Sequence, residues 1–154
     1  MARGFSSSQV KIGWMHYYFV WYTWKGKPLL KERIGWRCKE LIERQIRLMN
    51  CEVRAIEVND DYVYLGIKTK PLLSPHETIS KIKGFTSSML RQEFPDIRKS
   101  PSLWNRSYFV STYGRQPAAD IKQYSKYMSK QRKKYRKYIK KRNGLAREDK
   151  LSEN

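Results

Sequence analysis

Residues 56–68 read IEVNDDYVYLGIK and predict a β-hairpin. The triplet NDD at positions 59–61 consists of residues that favour turns. Successive side chains of a strand point to opposite faces, so Tyr62 and Tyr64 share one face and Val63 lies on the other. Two tyrosines side by side, directly after two aspartates, are explained either by packing across strands or by a functional site.

The segments on both sides of this hairpin predict the rest of the fold. Aromatic and β-branched runs indicate strands, and apolar residues at helical spacing indicate helices. Ser74, Pro75 and Glu77 form the pattern of a capping box at a helix start. Strands are predicted near Met15–Thr23, Glu52–Val58, Tyr62–Lys68 and Ser107–Tyr113, and helices at Leu30–Met49 and Pro75–Phe94.

This order of elements, βαββαβ, is typical of an α+β protein of the ferredoxin-like class, with an antiparallel sheet and helices on one face. A further, strongly basic helix is predicted from Ala118 to about Arg142. We expect a flexible N-terminus over residues 1–12, a single domain over 13–144 and a polar tail over 145–154.

Charge is the dominant feature of the composition. The 154 residues include 33 Lys and Arg against 14 Asp and Glu, a formal net charge of +19. Such an imbalance argues against an enzyme of small neutral substrates and favours a polyanion, with nucleic acid first and an acidic membrane surface second. Aromatic residues among basic ones suit single-stranded nucleic acid, whose phosphates meet cations and whose bases meet rings.

The same composition bears on the compartment. Cys38 and Cys51 are far apart and match neither a disulfide framework nor a zinc-binding pattern. The N-terminus lacks the apolar core of a signal peptide, and no segment approaches the length of a membrane span. The expectation is a soluble, cytoplasmic protein.

The basic residues are concentrated near the C-terminus, where almost no acid balances them. Such a run can be a solvated helix face, but we favour a phosphate-binding surface. The residues predicted to bind nucleic acid are Arg106, Lys122, Lys126, Lys130, Arg132, Lys133, Lys134, Arg136, Lys137, Lys140 and Lys141.

Four stretches together resemble one family. They are HYYFVWYTWKGKPLL (16–30), SPHETISKIKGFTSSMLRQEFP (74–95), LWNRSYFVSTYG (103–114) and IKQYSKYMSKQ (121–131). They resemble the single-tyrosine HUH transposases of small insertion sequences that move as single-stranded DNA, the IS200-like group. The resemblance implies hairpin DNA as the partner, Mg²⁺ or Mn²⁺ as the cofactor, and a homodimer.

This resemblance also answers the question raised by the hairpin. The family's two metal-binding histidines correspond to Tyr62 and Tyr64 here. A phenol has a pKa of about 10 and binds a metal well only after losing its proton, unlike a neutral imidazole. We therefore expect no metal at these positions. Asp60 and Asp61 offer oxygen ligands for a shifted site, or simply form the turn.

The resemblance implies a tyrosine nucleophile followed, one helical turn later, by a glutamine that completes the metal site. Alignment without gaps from the fourth strand places Tyr124 at the nucleophile position. Alignment on the Tyr-x-x-x-Gln pattern places Tyr127 there, with Gln131 on the same helix face. The second alignment requires three extra residues in the preceding loop, but it keeps the geometry, so we prefer Tyr127 and retain Tyr124 as the other candidate. Ordinary packing in an amphipathic helix would also explain both.

Three functions follow as hypotheses. The first is a protein of the transposase type that binds single-stranded or hairpin DNA but has lost its metal site. The second is an active transposase that cuts and joins single-stranded DNA through a phosphotyrosine intermediate. The third is an RNA-binding ferredoxin-like module.

Overall fold

Two long helices and four strands follow one another along the chain in the order βαββαβ. The computed structural model describes residues 13–112, 123–130, 133–134, 136–137 and 140–141. The strands and helices are β1 (Met15–Tyr22), α1 (Arg33–Leu48), β2 (Glu52–Val58), β3 (Tyr62–Thr69), α2 (Pro75–Glu93) and β4 (Phe109–Ser111). Residues 123–130 and the described positions between 133 and 141 are helical, and we call them the basic helix.

The four strands form one antiparallel sheet in the order β2-β3-β1-β4. The predicted α+β, ferredoxin-like class with an additional basic helix is confirmed. The termini predicted to be flexible or polar lie outside the described residues. None of the helices in the described part of the chain is long and apolar enough to cross a bilayer.

The core lies between the sheet and the helices α1 and α2. Alternate residues of the two central strands point toward the helices and are almost completely buried, because strand side chains alternate between faces. On the strands these residues are Phe19, Trp21, Val63, Leu65 and Ile67, and the helices contribute Cys38, Leu41, Ile42, Ile46, Ile79, Ile82 and Leu90.

Backbone contacts shift the start of α1 from the position predicted from the sequence. Helix α1 begins at Arg33 and not at Leu30, because the Leu30 N–H donates to the Asp60 carbonyl at 2.9 Å and Glu32 has a non-helical φ of 52°. These contacts tie the entry of α1 to the hairpin turn.

Strand β4 is three residues long, much shorter than the predicted Ser107–Tyr113. It pairs with β1 only from Tyr18 to Val20. Ahead of β4 the chain leaves the ladder as a loop, in which the Asn105 N–H donates to the Tyr22 carbonyl at 2.9 Å. Tyr113 lies outside the described residues.

The start of α2 follows its sequence pattern. The Glu77 N–H donates to Ser74 Oγ at 3.1 Å, and the Ser74 N–H donates to a Glu77 carboxylate oxygen at 3.5 Å. Pro75 occupies the first turn, where its missing N–H costs nothing. The predicted capping box is therefore formed.

Gly35 allows the chain that enters α1 to lie against the helix itself. A Cβ atom on this residue would clash with the backbone carbonyl of Leu30 and would contact Val58. By contrast, a Cβ on Gly84, in the exposed middle of α2, would meet nothing within 4 Å. The two glycines thus have different physical roles.

We predict opposite effects for alanine at these two glycines. Gly35→Ala should lower the free energy of unfolding by about 1–3 kcal/mol, because the backbone of Leu30 must move to admit the methyl group. Gly84→Ala is the matched control and should raise it by about 0.5–1 kcal/mol, since alanine has the higher helix propensity. Urea unfolding followed by circular dichroism measures both, and a Gly35→Ala protein as stable as the parent would contradict the argument.

Candidate functional site

Tyr62 and Tyr64 lie on the face of the sheet opposite to α1 and α2. Tyr62 is paired with Tyr22 of β1, and Tyr64 with Val20. The ring centroids of Tyr22 and Tyr62 are 5.3 Å apart. Tyr62 and Tyr64, which the sequence analysis predicts to lie at the histidine positions of the resembled family, therefore form part of a patch of aromatic and aliphatic side chains.

The basic helix covers this patch at the end nearest β4. Met128 is 1% exposed, and the Tyr124 ring centroid lies 5.9 Å from those of both Tyr22 and Phe109. The Tyr124 hydroxyl is 3.5 Å from Ser107 Oγ. We call the resulting set of side chains the tyrosine cluster; it comprises Val20, Tyr22, Tyr62, Tyr64, Phe109, Tyr124 and Met128.

Glu57 of β2 is the site residue that the sequence analysis missed. It is exposed and lies opposite Tyr64 in the β2–β3 pairing. Its carboxylate accepts a hydrogen bond from the Asn59 amide at 3.0 Å. The signal was present in the hairpin, because counting outward from the turn brings Glu57 across from Tyr64.

The surroundings of the phenols keep them protonated. Burial raises the pKa of Tyr62 and of Tyr64, and the negative charge of Glu57 raises the pKa of both further. Burial also raises the pKa of Tyr124, against a smaller opposing effect of its hydrogen bond with Ser107. At neutral pH these three side chains are therefore neutral phenols.

Asp60 and Asp61 build the turn through their backbones. The Asp60 carbonyl accepts from the Leu30 N–H, and the Asp61 carbonyl accepts from the N–H and the hydroxyl of Thr23 at 2.9 and 3.2 Å. Within the described residues no three His, Cys, Asp or Glu side chains come together as a metal-binding group.

The two candidate nucleophiles differ in accessibility. Tyr124 packs into the tyrosine cluster, whereas Tyr127 is 50% exposed and stacks on Tyr124 with ring centroids 6.5 Å apart. Tyr127 also lines a cavity that it shares with Arg106. Gln131, the expected partner of Tyr127, lies outside the described residues.

The predicted nucleic-acid-binding residues are solvent-facing wherever they are described. They are Arg106, Lys126, Lys130, Lys133, Lys134, Arg136, Lys137, Lys140 and Lys141, and all are exposed. Within the described part of the chain none of them forms an ion pair with an acid. Lys122 and Arg132 lie outside the described residues.

The raised pKa values of Tyr62 and Tyr64 predict a stability that depends on pH. Unfolded tyrosine ionises near pH 10, and the folded phenols ionise above it, so the folded state retains protons that the unfolded state has lost. The contribution of these two phenols to the free energy of unfolding should therefore be constant below about pH 10 and be lost as the pH rises through their folded pKa values. Alkaline unfolding curves measure this loss.

Glu57→Gln should shift the tyrosinate absorbance titration of the folded protein to lower pH, because the carboxylate that raises the two pKa values is gone. Glu52→Gln, on the same strand, is the control and should leave the titration unchanged. Coincident curves for Glu57→Gln and the parent would show that Glu57 does not act on the phenols.

Comparison with known proteins agrees with this architecture. The family model described as "Transposase IS200 like" matches residues 11–131. The transposase of insertion sequence IS200 from Salmonella typhimurium is 26% identical over 101 residues, 63% of this chain and 62% of that protein, so the match spans less than two thirds of that relative. The ISDra2 transposase TnpA of Deinococcus radiodurans is 24% identical over 71% of this chain and 81% of its own length.

A solved structure also indicates similarity to transposases. The crystal structure of a candidate transposase from Deinococcus radiodurans R1 superposes with a TM-score of 0.71 and 25% identity, covering 83% of this chain and 98% of that one. The resemblance noted in the four sequence stretches is thereby confirmed. With the family match extending from before β1 into the basic helix, this chain belongs to the IS200-like transposase family.

Proposed function

We propose that the protein binds single-stranded or hairpin DNA as a transposase-type protein whose metal site has degenerated, and that it does not cut DNA. The observation that carries the proposal is the state of Tyr62 and Tyr64. They are neutral phenols inside the tyrosine cluster, at the positions where the family pattern has imidazoles.

The residues present do not fit a divalent metal. A phenol must lose its proton to become a good ligand, and burial together with Glu57 opposes that loss. The carboxylate of Glu57 is a suitable hard ligand, but one exposed carboxylate with two neutral phenols falls short of the several oxygen ligands that Mg²⁺ requires. No step of a reaction is therefore assigned to a metal here.

Binding does not depend on that site, since the basic helix supplies charge on its own. The exposed cations at the described positions between 126 and 141 lie on helical residues that follow Tyr124, which packs on the sheet. Lys and Arg that neutralise phosphates release counterions, so the affinity comes mainly from salt-dependent contacts. The family match over residues 11–131 favours DNA over the RNA alternative.

A second candidate, the active transposase, is favoured by one observation. Tyr127 is half exposed and lines a cavity with the cations Lys25 and Arg106. A phosphodiester beside those cations would come within reach of a phenol. This arrangement offers a nucleophile, although a neutral tyrosine at pH 7 is a weak one.

We further propose a homodimer, as the resemblance implies. In the single chain the first turns of the basic helix pack on its own sheet through Tyr124 and Met128, whereas every described position from 133 to 141 is exposed. Light scattering at a protein concentration of tens of micromolar should give the mass of two chains, as closed two-fold dimers are the commonest assemblies. A monomer mass at that concentration would contradict the proposal.

The binding proposal predicts a steep salt dependence. The test variant changes five lysines to glutamine: Lys133, Lys134, Lys137, Lys140 and Lys141. It should bind a single-stranded oligonucleotide more weakly and reduce the slope of log K against log salt by up to about 3.5, at ~0.7 for each phosphate contact. Fluorescence anisotropy over a salt series measures both quantities.

The control carries the same charge change at five other exposed lysines, Lys31, Lys39, Lys70, Lys81 and Lys99. This control should keep most of the affinity and of the slope. Equal losses in the two proteins would mean that net charge, and not the basic helix, governs binding.

The loss of the metal site is tested by restoring it. Calorimetry on the unaltered protein should detect no tight Mg²⁺ or Mn²⁺ binding, and Tyr62→His with Tyr64→His should recover it, because neutral imidazoles bind metals without losing a proton. A metal-dependent covalent DNA adduct formed by the unaltered protein would overturn the proposal and support the active alternative.

The restored protein also distinguishes the two tyrosines. If it forms an adduct, Tyr127→Phe should abolish the adduct and Tyr124→Phe should not, since Tyr127 is the more exposed phenol. The opposite result would place the nucleophile at Tyr124. Denaturing electrophoresis of labelled DNA detects the covalent product.

A further inference from the structure

A cavity of about 680 Å³ opens at the end of the sheet where β1 and β4 meet the basic helix. Its walls include the turn at Trp24–Gly26, the loop ahead of β4, and Tyr127. We call it the β1–β4 cavity. Its volume lies within the range of sites that hold a small organic ligand, about 300–1,000 Å³.

Backbone hydrogen bonds hold the two walls together. The Trp24 N–H donates to the Leu103 carbonyl at 2.8 Å, and the Asn105 N–H donates to the Tyr22 carbonyl at 2.9 Å. Thr23 and Trp104 form an isolated bridge between the same two segments. These two walls are therefore held in place before any ligand arrives, which lowers the entropy cost of binding.

The floor is fixed as well. Trp104 is 4% exposed, and its indole N–H donates to Thr86 Oγ1 of α2 at 3.0 Å. Its ring packs edge-on against Trp21, with centroids 5.8 Å apart. The Lys83 ammonium, also on α2, donates to the Asn105 carbonyl. The loop ahead of β4 is thus anchored on the helical layer.

The rim carries two aromatic rings and two cations. Trp24 is partly exposed, Tyr127 is 50% exposed, and both line the cavity. Lys25 and Arg106 line it too and are exposed. Aromatic faces stack on bases whatever the sequence, and cations bind the phosphates that join them.

The polar group beside these rings is the Asn105 amide. Its nitrogen lies 3.9 Å from the Met128 sulfur, which is a weak acceptor. The amide can exchange this contact for hydrogen bonds to the edge of a base, because it offers both a donor and an acceptor. The rings and the amide complement the face and the edge of a base, and the cations complement its phosphate.

The turn at Lys25 has an unusual backbone conformation. Lys25 has φ 56° and ψ 20°, in the left-handed region that a lysine rarely adopts. Gly26, beside it, has φ 66°. The Nζ atoms of Lys25 and Lys27 lie 5.8 and 5.2 Å from the centre of the Trp24 ring. Unusual backbone conformations of this kind are concentrated at ligand-binding sites.

We infer that the β1–β4 cavity binds one unstacked nucleotide of a single strand, with its base on Trp24 and Tyr127 and its phosphate at Lys25 and Arg106. The inference rests on the proposed function in taking that strand as DNA. The proposed site holds the strand at a specific place, directly beside Tyr127, whereas the basic helix attracts DNA by nonspecific electrostatics.

The test compares two probes that differ only in their bases. One is an oligothymidine of about 12 nucleotides, within the site sizes of single-strand binders, and the other is the same backbone with abasic positions. Trp24→Ala should weaken binding of oligothymidine about tenfold, the cost expected for losing one stacked base. It should leave binding of the abasic probe unchanged.

Trp36→Ala is the matched control, because Trp36 is a 79% exposed tryptophan on α1 that does not line the cavity. It should bind both probes like the parent. Tyr127→Ala removes a half-exposed ring from the other wall and provides the same comparison if Trp24→Ala does not fold. Trp24→Phe keeps a ring and should recover most of the affinity.

The proposed phosphate contacts are tested separately, through the salt dependence of binding. Lys25→Gln with Arg106→Gln should weaken both probes alike and reduce the salt slope by about 1.4, from two phosphate contacts at ~0.7 each. A slope equal to that of the parent would remove these cations from the proposed contact.

The outcomes separate the two proposals. If the parent binds oligothymidine and the folded Trp24→Ala and Tyr127→Ala proteins bind it equally well, the cavity does not hold a base and this inference is wrong, while the proposed DNA binding stands. If the parent binds neither oligothymidine nor hairpin DNA even at low salt, the proposed function itself fails. A loss in Trp24→Ala that is equal for both probes would also overturn the inference, because it would not involve the base.

Discussion

The register between β1 and β3 is the constraint on which both faces of the sheet depend: the core under the helices and the tyrosine cluster on the opposite face. Tyr22 is paired with Tyr62, and Val20 with Tyr64, so these three tyrosines and Val20 fall on one face. The residues between them, Trp21 and Val63, are completely buried under the helices. Because side chains alternate with a period of two, a slip of one residue would place the tyrosines in the core and expose that core. The register thus fixes the core and the tyrosine cluster together.

Local patterns in the sequence were sufficient to predict most of this architecture. The strand bounds of Glu52–Val58 agree with the prediction, and the capping box of Ser74 and Glu77 marks the start of α2. Such features depend on residues close together in the chain. The shortened β4 depends instead on contacts of its loop with the end of β1, and the delayed start of α1 depends on the hydrogen bond between Leu30 and Asp60. No local pattern reveals contacts of that kind.

The candidate site was predictable in its positions but not in its surroundings. Tyr62 and Tyr64 could be identified from the hairpin and the family pattern, and simple phenol chemistry argued against a metal. The role of Glu57 required the pairing of β2 with β3. The β1–β4 cavity required three segments distant in sequence, around Trp24, Asn105 and Tyr127. Proximity of this kind follows from the tertiary fold, and composition alone predicted only that rings and cations would be available.

The two edges of the sheet differ in charge. This difference connects the proposed loss of the metal site with the proposed nucleotide site in the β1–β4 cavity. Glu57 lies on β2, at one edge of the sheet, where Glu52 of the same strand is paired with Arg54, whereas Arg106 and Tyr124 of the basic helix lie near β4, at the other edge. A phosphate strand is attracted to the second edge and repelled by the carboxylate near Tyr64, within a Debye length of roughly 10 Å at moderate salt. Neutral phenols cannot offset that repulsion as a divalent cation would. Under the two proposals, neutral phenols at Tyr62 and Tyr64 leave this repulsion in place and favour a path for DNA along the basic helix and into the β1–β4 cavity.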